Sequence, residues 1–292
     1  MQHPDLSKVT IDTLPLSVFK EKQVQADMLR LDKIHPVISG NKWFKLKYHL
    51  ENFYSGNYKG IFTFGGAWSN HIAATAAVCF LNKISCAGII RGERPAQLSQ
   101  TLRNAIEYGM QPEFIPRSMY KDKTGEDSIK NILEKYPGYY LIPEGGAGTE
   151  GEKGAGEMLN LVNKDEYTHI ACAIGTATMF NGMMAASTVN QQLTGIPVLK
   201  GLKIIAAQSS CKIFYDYHFG GYAGHTPELF GFMNDFYRET GIPTDFVYTG
   251  KLAFAVIDLC RKGFFWPGSR VLIIHSGGLQ GNTSLTQGTL IF

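Results

Sequence analysis

Charge is scarce in this 292-residue chain: Asp, Glu, Lys and Arg make up 18% of it, against about 25% in ordinary soluble domains. The 28 basic and 25 acidic residues leave a formal charge of +3, and neither sign is concentrated. The densest basic run, Lys42 to Lys47, alternates its lysines with Trp43, Phe44 and Leu46. A phosphodiester backbone is met by a basic patch or stripe, and none exists here, which excludes nucleic acid as a partner. Cysteines are few and odd in number (Cys79, Cys86, Cys172, Cys211, Cys260) with no C-x-x-C pair, so buried reduced thiols are expected rather than a disulfide framework. The histidines are dispersed, with no H-x-x-x-H pair and no Cys/His cluster at zinc spacing, and no metal is expected. No apolar run approaches the roughly 18 residues of a membrane span. The N-terminal MQHPDLSKVTID lacks the charged-then-apolar pattern of a signal peptide. A soluble, cytoplasmic protein with no membrane partner is the expectation. The Gly175-Thr176-Ala177-Thr178 loop lacks G-x-G-x-x-G, and G-x-x-x-x-G-K-[ST] and G-x-S-x-G are missing from the chain, which leaves a dinucleotide oxidoreductase, a P-loop enzyme and a serine hydrolase poorly supported.

What is present in excess is glycine, 32 of 292 residues, against a usual share of about 7%. With only 12 prolines and no Gly-X-Y period, this is neither collagen-like nor a disordered composition. A repeated unit explains it: a β-branched or aromatic run, a Gly-rich turn, then a helix of small residues. Tyr58–Phe64, Ile84–Ile90, Gln111–Ile115, Tyr139–Ile142, Thr168–Ile174, Leu202–Ala207 and Arg270–His275 read as strands. Ser69–Leu81, Ala96–Tyr108, Asp127–Tyr136, Glu152–Val162, a segment from about Met179, Glu228–Thr240 and Lys251–Lys262 read as helices. Strands alternating with such helices predict a mostly parallel α/β sheet covered on both faces. HIACAI, KIIAA and RVLII are continuously apolar, as strands buried on both faces should be. Open α/β sheets bind ligands beyond the C-terminal strand ends, where Gly65–Gly66, Gly145–Gly146, Gly175 and Gly277–Gly278 are placed.

Three motifs carry chemistry. Ser39-Gly40-Asn41-Lys42 precedes a helix-like run, with Asn41 or Ser39 as its expected cap. A lysine there sits in the positive potential of the helix N-terminus, which favours its neutral, nucleophilic amine; on this motif alone, an ordinary solvated lysine remains the simpler reading. Gly65-Gly66-Ala67-Trp68-Ser69-Asn70-His71 joins a strand to a helix, either as a ligand loop or as a plain Ser/Asn cap. Gly175-Thr176-Ala177-Thr178 repeats that arrangement with the makings of a phosphate cradle.

Taken in order, SGNKWFKL, FGGAWSNH, IPEGG, AIGTAT, GGYAG, DFVYTGK and IIHSGG resemble the pyridoxal-phosphate enzymes of the tryptophan-synthase-β fold (fold type II). More narrowly, they resemble the family joining 1-aminocyclopropane-1-carboxylate (ACC) deaminase with D-cysteine desulfhydrase. SGNK, GGxxSNH and VYxGK are specific to that family, whereas GTAT and IPEGG are shared across the fold. The resemblance covers nearly the whole chain. It implies two open twisted parallel-sheet domains: a large cofactor domain of residues 1–43 and 149–292, and a smaller inserted domain of 44–148. It also implies a homodimer and a small amino-acid substrate.

By matching motif, Lys42 would form the Schiff base with pyridoxal 5'-phosphate and shuttle protons. Asn70 would hydrogen-bond the cofactor's ring hydroxyl oxygen, and Gly175, Thr176, Ala177 and Thr178 would hold its phosphate. Ser69 would face the substrate carboxylate or its reacting carbon, and Tyr222 and Tyr248 would position substrate and move protons; packing is the plainer role for tyrosines in a chain with 14 of them. Thr249 falls where the family places the partner of the pyridine nitrogen. Two residues depart from the family's pattern. Trp68 replaces a glutamine beside Ser69, and Ala177 replaces a glycine, tolerable only if φ there stays negative. ACC deaminases carry glutamate at the Thr249 position and SNQ, whereas D-cysteine desulfhydrases carry threonine and SNH. A threonine donating to an unprotonated nitrogen makes a weaker electron sink than a carboxylate. Thr249 and His71 therefore favour β-elimination from D-cysteine or another small D-amino acid such as D-serine, with ACC ring opening to 2-oxobutyrate as the alternative. A non-catalytic ligand-binding relative would be expected to lose the lysine or the phosphate loop, and both are kept.

Overall fold

The computed structural model describes residues 2–121, 131–132, 134–204 and 210–292. Its strands form two open sheets. The six-stranded sheet has the order β1 (Thr10–Thr13), β2 (Gln25–Arg30), β10 (Arg270–His275), β7 (His169–Ile174), β8 (Gln192–Pro197), β9 (Cys211–Ile213). The four-stranded sheet has the order β5 (Met110–Ile115), β4 (Ser85–Arg91), β3 (Gly60–Gly65), β6 (Tyr139–Ile142). All pairs are parallel except β1 with β2. This is the α/β fold expected from the alternating pattern.

Each sheet reverses its winding direction once. From β7 the chain adds β8 and β9 on one side and later returns β10 to the other; from β3 it adds β4 and β5, then returns β6. Loops leaving adjacent strands at such a switch diverge and open a crevice. The two switch points thus send four loops, after β3, β6, β7 and β10, toward one place.

One apolar core runs through both sheets. Ile61 and Ile72 from the smaller sheet's side, Leu46 and Leu50 of the helix Asn41–Ser55, and Ile170, Ile174 and Leu272 of the larger sheet belong to the same buried cluster. That helix packs against the helix Thr149–Gly156 at backbone distance: a Cβ on Gly154 would fall 1.8 Å from the Phe44 carbonyl oxygen. Glycines here serve close approach of backbones rather than flexibility.

Some elements differ from expectation. Leu202–Ile204 are not in a strand and 205–207 lie outside the described residues; the sheet uses β8 and β9 instead. The segment Glu152–Val162 is split into an α-helix, Thr149–Gly156, and a 3-10 turn, Glu157–Leu161. The helix expected from Ala96 starts at Gln100, where Ser99 accepts the Leu102 N–H. Of the helix expected over Asp127–Tyr136, residues 127–130 and 133 lie outside the described residues. Among the described residues, no helix is long and apolar enough to cross a membrane.

Candidate active site

The four switch-point loops and the start of the helix Asn41–Ser55 enclose a cavity of about 460 Å³, within the usual size of a small-molecule site. Its wall includes Lys42, Ser69, Asn70, Gly175, Thr176, Ala177, Tyr222 and Tyr248, residues scattered over two hundred positions of sequence. Thr178 and Thr249, 2% and 1% exposed, lie just outside the wall.

Lys42 occupies the first turn of its helix. The expected side-chain cap is absent: Gly40 is the N-cap, at φ 61°, and neither Ser39 nor Asn41 caps. Gly40 turns tightly over the β10 loop, where a Cβ would fall 1.9 Å from the Ser276 carbonyl oxygen, and that carbonyl accepts the Asn41 N–H. Asn41 is thereby released for another task, and its Oδ1 accepts from Lys42 Nζ at 2.6 Å. Burial lowers the Lys42 pKa to about 8, against the opposing pull of Asp245. This is the environment of a nucleophilic amine, and it decides against a solvated surface lysine.

Ser69 is both a cap and a wall residue. Its Oγ accepts the N–H groups of His71 and Ile72, so its own proton is available to the cavity. Asn70 follows, with a buried side-chain oxygen that has no partner among the described residues. His71 is also fixed. Thr63 Oγ1 donates to the Ile142 carbonyl, so at 2.7 Å it can only accept from His71 Nε2. His71 Nδ1 is therefore an acceptor, buried without a partner among the described residues, and burial holds the ring's pKa well below its ordinary value. Trp68, 40% exposed, lines the mouth.

The β7 loop ends in the helix Thr178–Ala186, which has no side-chain cap; its N-cap is Ala177 at φ 61°. The expectation of a negative φ at Ala177 is overturned. The left-handed turn aims the helix's unpaired N–H groups outward, at a strain of roughly 1–2 kcal/mol for a residue with a Cβ. The Thr176 and Thr178 hydroxyls are 3.1 Å apart beside this turn. Lys45, one helical turn beyond Lys42, is 4% exposed, lines the same cavity and pairs with no anion among the described residues. Burial, then repulsion from Lys42, pushes its pKa well down. An anion would relieve that, and the spacing of Lys42 and Lys45 was its sequence signal.

Tyr248 lies with its ring centroid 6.0 Å from Lys42 Nζ and 6.2 Å from that of Tyr222. Burial drives the Tyr248 pKa well above its ordinary value, keeping its hydroxyl protonated. Tyr222 sits at the mouth on a turn held by Lys251, whose Nζ donates to the His218 and Gly221 carbonyls at 2.8 Å each. Thr249 is engaged away from the cavity: its hydroxyl donates to Asp245 Oδ1 and accepts from the Asp245 N–H, both at 2.7 Å. Sequence reasoning overlooked Asp245 and Lys251, which stand behind the cavity wall, and Arg91 and Glu144, which line it.

No protein-family model matches the chain, but whole proteins do. A bifunctional D-cysteine desulfhydrase/ACC deaminase of Arabidopsis thaliana is 27% identical, over 84% of this chain and 70% of its own. An ACC deaminase of Rhizobium radiobacter is 25% identical over 82% of each chain. The crystal structure of an ACC deaminase homologue matches 96% of this chain and 94% of that one, with a TM-score of 0.79 at 24% identity. Over most of its length the chain is thus similar to enzymes named ACC deaminase and D-cysteine desulfhydrase. ACC deaminases and D-cysteine desulfhydrases are pyridoxal-phosphate enzymes. A hydrogen sulfide-producing enzyme of Fusobacterium nucleatum shares the fold, with a TM-score of 0.69 at 12% identity.

The residues present fit pyridoxal phosphate. A desolvated amine, a buried amide oxygen without a partner, an uncapped helix start and an unpaired buried lysine surround one cavity. These suit an aldehyde, a ring hydroxyl and a phosphate.

Proposed function

We propose that this enzyme catalyses α,β-elimination on a small amino acid, with D-cysteine the first candidate and pyruvate, ammonia and sulfide the products. The supporting observation is the placement of Lys42: a buried amine titrating at about 8, in the same cavity as the Ser69 hydroxyl and an open helix start. When bound, pyridoxal phosphate supplies an aldehyde for the substrate amine and a ring that withdraws electrons from the α-carbon.

The chain's residues have separate tasks. The uncapped N–H groups after Ala177, with Thr176, Thr178 and Lys45, bind the phosphate. Asn70 orients the ring through its hydroxyl, and the resemblance of the DFVYTGK segment supports Thr249 as the partner of the ring nitrogen. Ser69 donates its unused proton to the substrate carboxylate. Lys42 in its neutral form, held by Asn41, accepts the α-proton as the C–H bond breaks. The Cβ–S bond then breaks with its electron pair on sulfur, and Tyr248 is the protonated group close enough to Lys42 to attend the leaving thiolate. Water hydrolyses the released product to pyruvate and ammonia. Trp68 and Tyr222 narrow the mouth and exclude bulk solvent.

A second reading, ACC deamination to 2-oxobutyrate, is favoured by one observation: the Thr249 hydroxyl proton is committed to a buried carboxylate. The test is an assay of purified enzyme on D-cysteine, L-cysteine, D-serine and ACC, with pyruvate and 2-oxobutyrate measured separately. Pyruvate from D-cysteine with the highest kcat/KM is expected. Strong 2-oxobutyrate formation from ACC with none from D-cysteine would replace the first reading by the second.

A further inference from the structure

Asp245 is a wholly buried carboxylate that the proposed mechanism leaves unused. Its Oδ1 accepts from the Thr249 N–H at 2.8 Å and the Thr249 hydroxyl at 2.7 Å; its Oδ2 accepts from the N–H groups of Val247 and Tyr248 at 3.0 and 2.9 Å. Four donors occupy the four lone-pair directions of a carboxylate, so a carboxyl proton could enter only by expelling one. Burial raises the Asp245 pKa, and the Thr249 and Tyr248 hydrogen bonds oppose the rise. Thr249 Oγ1 is equally constrained. Its single proton goes to Asp245 and one lone pair takes the Asp245 N–H, which leaves one lone pair and no proton to offer.

The pair stands directly behind the cavity wall. A Cβ placed on Gly278, a wall residue, would lie 2.8 Å from Asn70 Nδ2 and 3.5 Å from Asp245 Oδ1. Lys42, Lys251, His275, Tyr222 and Tyr248 all face this carboxylate.

We infer that Asp245 is a positioning residue that fixes the cofactor's pyridine nitrogen in its protonated form: it takes the only proton of Thr249, so Thr249 can meet that nitrogen only as an acceptor. The proton on nitrogen comes from solvent when the cofactor binds. Threonine and aspartate together then do what a directly placed carboxylate would do, and the ring is a strong electron sink. This reverses the weak-sink expectation drawn from Thr249 alone. It rests on the proposed function, because it requires the ring to lie as that reading places it.

The test is the nitrogen NMR spectrum of the apoprotein reconstituted with pyridoxal phosphate labelled with 15N in the ring. The wild type and Thr249→Ser, which keeps the hydroxyl, are expected to show the pyridinium shift. Thr249→Val is expected to move the signal to that of the free base. A free-base signal in the wild type would overturn the inference, as would a pyridinium signal retained in Thr249→Val. If Thr249→Val does not fold, the wild-type spectrum decides. The visible imine band, recorded first, separates the two levels: its absence would overturn the functional reading and this inference with it, whereas a band with a free-base nitrogen overturns the inference alone.

Discussion

Two strand-to-helix turns face each other across the cavity, and their sequences look alike: Gly-Gly-Ala-Trp-Ser after β3 and Gly-Thr-Ala-Thr after β7. The first is closed by the protein itself. Ser69, at φ −73°, accepts two of the helix's leading N–H groups. The second is left open, with Ala177 at φ 61° and no side chain on the helix end. A capped helix start has spent its anion-binding capacity internally, whereas an uncapped one retains it. The proposed function rests on this difference: the closed turn would present a hydroxyl to substrate, and the open one would receive phosphate.

Perturbing Lys42, which both turns serve, should have the largest effect. Lys42→Ala is expected to abolish the visible imine band and lower kcat by on the order of 10²–10⁴-fold or more, read by absorbance and by product assay. The pH dependence of cofactor capture comes next. The neutral amine is the nucleophile, so capture by apoprotein should quicken as pH rises through about 8. A group titrating there gains roughly tenfold in neutral fraction between about pH 7 and 9. A stopped-flow midpoint near an ordinary lysine value would contradict the burial of Lys42.

Ala177→Asp sharpens the comparison by placing a fixed anion at the open turn. Cofactor affinity should fall about tenfold, ~1.4 kcal/mol, in a titration of the visible band. The same titration unchanged would place the phosphate elsewhere. At the closed turn, Ser69→Ala should cost about 1 kcal/mol of stability and Ser69→Gly only a few tenths, both read by denaturant unfolding of the apoprotein. Smallest is Ala177→Gly. Relief of roughly 1–2 kcal/mol of left-handed strain, less roughly 0.5–1 kcal/mol of unfolded-state entropy, should leave a slight stabilisation, visible as a raised Tm.

What was legible in the sequence was whatever had a local signature. β7 and β10 carry continuous apolar runs that end in glycine turns, and Ser69 follows the glycine turn after β3. β2 was hidden by its polarity. Arg30 is buried there and neutralised by nearby Asp12 and Asp32, and Asp27 is buried and neutralised by Arg270, a partner so far along the chain that no local pattern reveals it. β8 was obscured by its Gly-Ile-Pro ending. In the site, Lys42 could be found because its motif is contiguous. The Thr249 position was legible, but the destination of its proton was not. That depends on Asp245 folding back over the start of its own helix, which turns a donor into an acceptor.

The account stands most directly on the covalent chemistry of Lys42. Holoenzyme reduced with borohydride, digested and mapped by mass spectrometry should carry the pyridoxyl group on Lys42, with loss of the visible band. Label on another lysine, or no cofactor bound after reconstitution, would contradict it.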